Sequence, residues 1–321
     1  MTEKKMKMTV VVPVRNRAHV VCRTLDSIKN QSWRPIELII ADNGSDDPTP
    51  DVVSKWADEN NSEDFIIRIV NEPVCGASRA RNRGLREVTT EHVMFFDSDD
   101  EMEFDHIERI CTILGNHPEI DLLHWSLSTR DADGWTSVCQ SANPDDLLTE
   151  HILHSTLSTA RYTVRTEILR QAGAWDESLS TWDDYELGVR LLTMEPPLRV
   201  RHLSGAPRVI ANLSEDTQTG SSYSCRAEAQ TLALEAIGKD LAEDPCHRLI
   251  LNGKKAVIAA NYRNEGSHDL AATLLQQTKA DTQKKHHLKL QIIHTFQRLF
   301  HKGGSWLTHQ LLQPKGNQEN G

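Results

Sequence analysis

The segment Phe95-Phe96-Asp97-Ser98-Asp99-Asp100 sets three carboxylates directly behind an apolar run. Carboxylates this close repel one another, which raises their pKa values. A divalent cation removes that penalty. Hard oxygen ligands suit Mg²⁺ or Mn²⁺, ions that also bridge phosphate oxygens. The same residues suit an acidic turn or a helix N-cap. A second acidic loop, Asp42-Asn43-Gly44-Ser45-Asp46-Asp47, follows Ile39-Ile40-Ala41. It is no cradle for phosphate, but it can accept hydrogen bonds from a base N–H or ribose hydroxyls, or serve as a plain strand-to-helix turn. In Gly76-Ala77-Ser78-Arg79-Ala80-Arg81-Asn82-Arg83-Gly84, arginines near a helix start suit a diphosphate or a solvated basic face. In Thr181-Trp182-Asp183-Asp184-Tyr185-Glu186-Leu187, paired carboxylates beside an aromatic supply a general base and a sugar-stacking platform, or an acidic helix start favoured by the macrodipole.

These segments need elements to hold them. Residues 8–14 form a β-branched run that reads as a buried strand, and residues 18–30 carry apolar side chains at helical spacing. Strands at 36–41, 65–70 and 92–96 and helices at 51–60 and 75–88 complete a β-α-β-α-β-α-β alternation. That order predicts a mostly parallel, doubly wound sheet. Ligands bind such sheets at the C-terminal strand ends, where the Asp42 and Asp97 loops fall. Further on, the pattern predicts strands at 120–128, 160–164 and 198–202, helices at 166–171 and 185–194, and only helices from about residue 225, such as 226–242 and 269–277.

Together the segments resemble glycosyltransferase family 2, which has the GT-A fold. The resemblance starts at Val11-Val12-Pro13-Val14-Arg15-Asn16-Arg17. It runs through Leu25, Gln31, Asp42, Ala80-Arg81-Asn82-Arg83-Gly84, Asp97-Ser98-Asp99-Asp100 and Gly173-Ala174-Trp175-Asp176-Glu177, and it closes on Asp183-Asp184-Tyr185-Glu186-Leu187 and Arg190-Leu191. It covers about the first two-thirds of the chain. The resemblance implies a Rossmann-like GT-A domain over residues 1–222, with a nucleotide-sugar half to about residue 100 and an acceptor half beyond. A helical region follows over 223–321. It also implies roles. Pro13, Val14, Arg15, Asp42, Asn43, Arg81, Asp97 and Ser98 would bind the nucleotide-sugar donor, Asp97 and Asp99 would hold the Mg²⁺ or Mn²⁺, and Asp184 would act as catalytic base. Trp182 and Asp183 would face the acceptor. Arg15 stands where the family has a tyrosine, Asn43 where it often has a second Asp, and Asp183 where it often has Glu. His202 lies near the region of a histidine ligand, although a lone His is more often structural. No Gln-x-x-Arg-Trp motif occurs, which favours transfer of single sugars over polymerisation.

The formal net charge of −10 argues against nucleic acid as a partner. Six cysteines without a Cys-x-x-Cys spacing read as free thiols in a reducing compartment. With no apolar leader and no run long enough to span a bilayer, the chain reads as cytoplasmic. A nicotinamide-binding fold lacks support, because no Gly-x-Gly-x-x-Gly follows the first strand. A non-catalytic nucleotide-sugar or glycan-binding scaffold on the same fold is the alternative. The tail over about 284–315 carries Lys284, Lys285, Lys289, Arg298, Lys302 and Lys315 without an acidic residue. Leu288, Ile292, Ile293, Phe296, Leu299 and Phe300 recur at mostly helical spacing within it. This suits either a helix lying on a membrane surface, in reach of a lipid-linked saccharide acceptor, or a face packed on protein.

Overall fold

The computed structural model describes residues 5–139, 146–213 and 224–313. The alternation at the N-terminus forms as the pattern predicts: β1 (Met8–Val14), α1 (Val21–Lys29), β2 (Ile36–Asp42), α2 (Thr49–Asn60), β3 (Phe65–Asn71), α3 (Ala77–Glu87) and β4 (His92–Phe95). Both β1 and β2 are buried almost throughout. Their continuous apolar runs suit parallel strands covered by helices on both faces. Pro13 is accommodated because β4 pairs with β1 only as far as Val11, so no ladder bond to β4 is lost at the proline.

The following segment holds β5 (Glu101–Met102), α4 (His106–Asn116), β6 (Leu122–Trp125), β7 (Leu127–Arg130), β8 (Thr136–Cys139), α5 (Leu147–His154), β9 (Tyr162–Arg165), α6 (Thr166–Gln171), α7 (Asp183–Leu192), β10 (Val200–Leu203) and β11 (Val209–Asn212). The single strand expected over 120–128 divides at Ser126. Its first half joins a seven-stranded sheet of order β10-β6-β9-β4-β1-β2-β3, and its second half joins a four-stranded sheet of order β5-β11-β7-β8. In the large sheet β9 runs antiparallel to both of its neighbours, β4 and β6, and the remaining pairs are parallel. The mostly parallel α/β sheet of a GT-A fold is present. The C-terminal region is helical: α8 (Ala227–Asp240), α9 (Pro245–Asn264), α10 (His268–Ala280), α11 (His287–Phe300) and α12 (Gly304–Leu312). The expected division at residue 222, like Lys315, lies outside the described residues.

Three apolar clusters hold these layers together. Alternate residues of β1 separate the first two. Val10, Val12 and Val14 meet α1 and α4 on one face, and Val11 meets α3 and α7 on the other. Helix α7 joins the sheet to the helical region. Leu187 and Leu191 enter the sheet cluster, while Tyr185 and Val189 enter the cluster of α8 to α12. Side chains of this size stabilise by roughly 1.5–3 kcal/mol each when fully buried, so α7 is held firmly from both sides.

Helix α3 lies close on β1, and Gly84 permits it: a Cβ there would meet Val11 Cγ1 at 2.4 Å. Gly84→Ala should therefore destabilise the chain by about 1–3 kcal/mol despite alanine's higher helix propensity. Urea denaturation measures this, and a midpoint equal to or above that of the parent would show that the contact is not restrictive.

Candidate active site

Parallel pairing carries β1, β2 and β4 to the same end of the sheet, so Val14 lies level with Asp42 and the Asp97 loop leaves beside them. At the first of these ends the Asp42 carboxylate is turned into its own loop. It accepts from Ser45 Oγ at 2.6 Å and from Ser45 N at 3.3 Å. Asn43 uses its amide to tie the neighbouring loop. Its Nδ2 donates to the carbonyls of Glu72 and Val74, and its Oδ1 accepts from Gly76 N at 2.7 Å. Arg15 is exposed, with its guanidinium against Cys75 Sγ.

The Asp97–Asp100 turn is held from several sides. The Asp99 carbonyl accepts from Arg23 and Asn212 side chains, and Asn212 N donates to Asp100 Oδ1 at 3.0 Å. Ser98 is buried, and Arg17 stands 3.9 Å from the Asp99 carboxylate. Burial pushes Asp100 well above the carboxylate range, and Asp97 and Asp99 add to the effect. Burial also pushes Asp97 up to about 6, where repulsion from Asp184 and Asp99 is opposed by Arg81.

Arg81 is the centre of the cluster. From α3 its Nη1 donates to Asp183 Oδ2 at 2.8 Å and lies 3.8 Å from Asp184 Oδ1, while its Nη2 reaches Asp97 Oδ1 at 3.3 Å. Burial opposes its charge, but Asp184, Asp183 and Asp97 outweigh that and push its pKa up. One guanidinium thus joins the end of β4 to the start of α7. Ser78 adds a hydrogen bond to Asp183 at 2.8 Å. Burial raises Asp183, with Arg81 acting against it and Asp184 with it.

Asp184 is fixed by residues that sequence reading left without a role. Trp175 Nε1 donates to Oδ1 at 2.7 Å; Thr159 N donates to Oδ2 at 3.1 Å, and Thr159 Oγ1 also donates to Oδ2. Trp175 is itself anchored by Asn82, which exchanges hydrogen bonds with its backbone, and by Phe95, edge-on at 4.4 Å. Trp182, at the N-cap of α7, adopts left-handed φ/ψ of 58° and 22°. For a bulky side chain this conformation costs about 1–3 kcal/mol and marks a backbone held in place by its surroundings. Its ring lies edge-on to Tyr185 at 5.9 Å. Trp175 stood inside a motif already visible in the sequence; Thr159 had no local signal at all.

Among the described residues, no three His, Cys, Asp or Glu side chains converge as a metal cage. His202 pairs ring to ring with His124 at 5.1 Å, three strands along the sheet from β4. Asp97 and Asp99 nevertheless fit a divalent cation. They are hard oxygen donors whose mutual repulsion a cation would relieve, and Mg²⁺ is commonly held by one or two carboxylates together with substrate phosphates.

The electrostatics of this cluster can be tested in metal-free buffer. Arg81→Met leaves buried carboxylates unpaired, and we expect a loss of at least about 2 kcal/mol near pH 7, allowing for screening at the half-exposed Asp97. A carboxyl raised in the fold binds its proton more tightly there than in the unfolded chain. Its contribution is therefore complete at low pH and is lost as pH rises through about 6. Removing Arg81 steepens that loss, so the gap between variant and parent should narrow from about pH 7 to about pH 5. Urea denaturation at both values measures the gap, and a constant or widening one would refute the pairing.

Residues 9–155 match the family model described as "Glycosyl transferase family 2". Over 104 residues, 32% of this chain and 14% of the relative, the chain is 34% identical to the glycosyltransferase GlyA of Streptococcus pneumoniae. It spans less than two-thirds of the length of the curated relatives it matches. Among solved structures, S. aureus TarS 1-349 in complex with UDP-GlcNAc superposes with a TM-score of 0.63 at 18% identity, covering 95% of this chain and 91% of that one. The mannosyltransferase PcManGT from Pyrobaculum calidifontis, in complex with GDP-Man and Mn²⁺, gives 0.55 at 20% identity, with 94% and 83% covered. The segment that carries Asp42 and Asp97 is thus similar to glycosyltransferase family 2, and the chain has the GT-A fold.

Proposed function

We propose that the chain is an inverting glycosyltransferase that moves one hexosyl unit from a UDP-sugar to an acceptor hydroxyl in bacterial surface polysaccharide or glycan assembly. The observation that carries this reading is Arg81, which holds Asp97 at one end and Asp183 and Asp184 at the other. A carboxylate assigned to the donor side and a candidate base thereby meet at one guanidinium. The donor complexes of the two solved neighbours support a nucleotide sugar, and the bacterial relatives support the setting. The acceptor is a saccharide, free or lipid-linked. The setting of the reaction is the cytoplasmic side of the cell, in reach of the inner face of its membrane.

Asp184 takes the proton of the acceptor hydroxyl. The freed oxygen attacks the anomeric carbon in line, and the bond to the diphosphate breaks with its electron pair on the leaving group. No glycosyl-enzyme intermediate is needed. A carboxylate has about four lone-pair sites. Thr159 occupies two on Oδ2 and Trp175 one on Oδ1, which leaves Oδ1 a site for the hydroxyl. Trp175 and Thr159 orient the base, and the strained Trp182 offers a ring to the acceptor sugar. Asp42 would accept from the base or ribose of the donor. Pro13, Val14, Arg15, Asn43 and Ser98 would shape that pocket. A divalent cation at Asp97 and Asp99 supplies charge that stabilises the diphosphate.

Release of nucleoside diphosphate from a panel of UDP-, GDP- and dTDP-sugars tests the whole reading. Thermal stabilisation by a nucleotide without any turnover would favour the scaffold alternative instead. Asp184→Asn should lower turnover by roughly 10²–10⁴ with donor affinity nearly unchanged; a collapse of donor affinity would refute its assignment as base. Asp99→Ala should abolish donor binding in Mn²⁺ or Mg²⁺, and full activity in excess chelator would remove the metal from the mechanism.

A further inference from the structure

We infer that the outer face of α11, together with Trp306 of α12, docks on an anionic lipid bilayer. The apolar residues of this segment do not form one buried stripe. Leu290 and Ile293 point inward with His294 and Gln297, against α9, while Leu288, Ile292, Leu299, Phe300 and Trp306 remain 45–71% exposed. At about 100° per residue, Leu288, Ile292 and Leu299 fall within about 40° of helix circumference. Arg298 flanks this line on one side, Lys289 on the other side is turned to the Leu311 carbonyl of α12, and Lys284, Lys285 and Lys302 stand at its ends. From residue 282 to residue 313 there is no Asp or Glu, in a chain whose net charge is −10.

This combination selects its partner. A water-facing helix has no use for the exposed apolar line, and nucleic acid would meet that line where it needs polar contacts. A symmetric second copy would bring two sets of like-charged lysines and arginines face to face. An anionic leaflet satisfies both features, because apolar side chains and tryptophan enter the interface while the basic side chains reach up to phosphates. Helix α9 holds α11 along its inner side, so the face is presented ready-made. The face is also tied to the catalytic cleft. In α12, Ser305 Oγ donates to the carbonyl of Leu153 in α5, and His151 of α5 meets the Tyr185 carbonyl of α7 at 2.9 Å. Docking would therefore set the orientation of the cleft relative to the membrane, which suits a lipid-linked acceptor if the proposed function holds. The docking itself rests on the surface alone.

The test uses the full chain with vesicles of phosphatidylglycerol and phosphatidylethanolamine, and with phosphatidylcholine vesicles for comparison. Each cation beside an anionic leaflet is worth up to a factor of about five in partitioning. The triple substitution Lys285→Gln, Arg298→Gln, Lys302→Gln should thus reduce co-sedimentation with the anionic vesicles by about 10-fold or more, and added salt should mimic it. Leu288→Ser with Leu299→Ser and Phe300→Ser should reduce it comparably, with circular dichroism unchanged because these positions are exposed. The inference is overturned if the parent chain does not bind the anionic vesicles, or if both variants bind as the parent does. It is equally overturned if light scattering shows the serine variant losing self-association while vesicle binding persists. Nucleoside diphosphate release with a soluble acceptor, measured alongside, reports on the proposed activity separately.

Discussion

A buried guanidinium needs its charge matched, and Arg81 is matched by three carboxylates from two distant parts of the chain. Removing such a charge from water costs several kcal/mol unless good geometry offsets it. Arg81 therefore favours the arrangement in which α3, the end of β4 and the start of α7 meet. The same contact keeps three mutually repelling carboxylates within one small region. Structural neutralisation and the gathering of chemically useful groups are here one interaction.

The surrounding residues make that arrangement rigid. Ser78, Arg79 and Asn82, neighbours of Arg81 on α3, grip residues 175–183 through Asp183, Glu177 and the Trp175 backbone. Arg190 holds the same loop from behind by donating to the Ala174 carbonyl at 2.7 Å. Gly188 lets α7 approach His151, since a Cβ would lie 2.2 Å from its Nε2. Asp184 thus has few ways to move. A base whose hydrogen-bond donors are packed in place is already oriented before substrate arrives.

Charge is distributed over the molecule with a similar economy. Asp42, Asp97 and Asp99 stand at the strand ends, where a cation and a hydroxyl-rich ligand would meet them. The basic residues without acidic neighbours concentrate on the last helices.

Much of the architecture was legible in the sequence. Apolar runs and helical spacing in the first hundred residues report burial on local faces, and a β-α alternation can close only into a parallel sheet whose strand ends lie together. The loops of Asp42 and Asp97 therefore fall at one edge on the sequence pattern alone. The acid-free tail likewise declared a separate surface. Contacts across long separations were not legible, because local periodicity says that a face is buried and not against what. The division of residues 120–128 between two sheets, the bond from Thr159 to Asp184 and the use of the Asn43 amide to hold another loop are decisions of packing. So is the separation of the α11 side chains into Leu290 and Ile293 inside and Leu288 and Leu299 outside. Composition and spacing determined which chemical groups the chain carries and at which end of the sheet they emerge. Tertiary structure alone decided which carboxylate faces which donor, since that depends on how helices from opposite halves of the chain pack against one sheet.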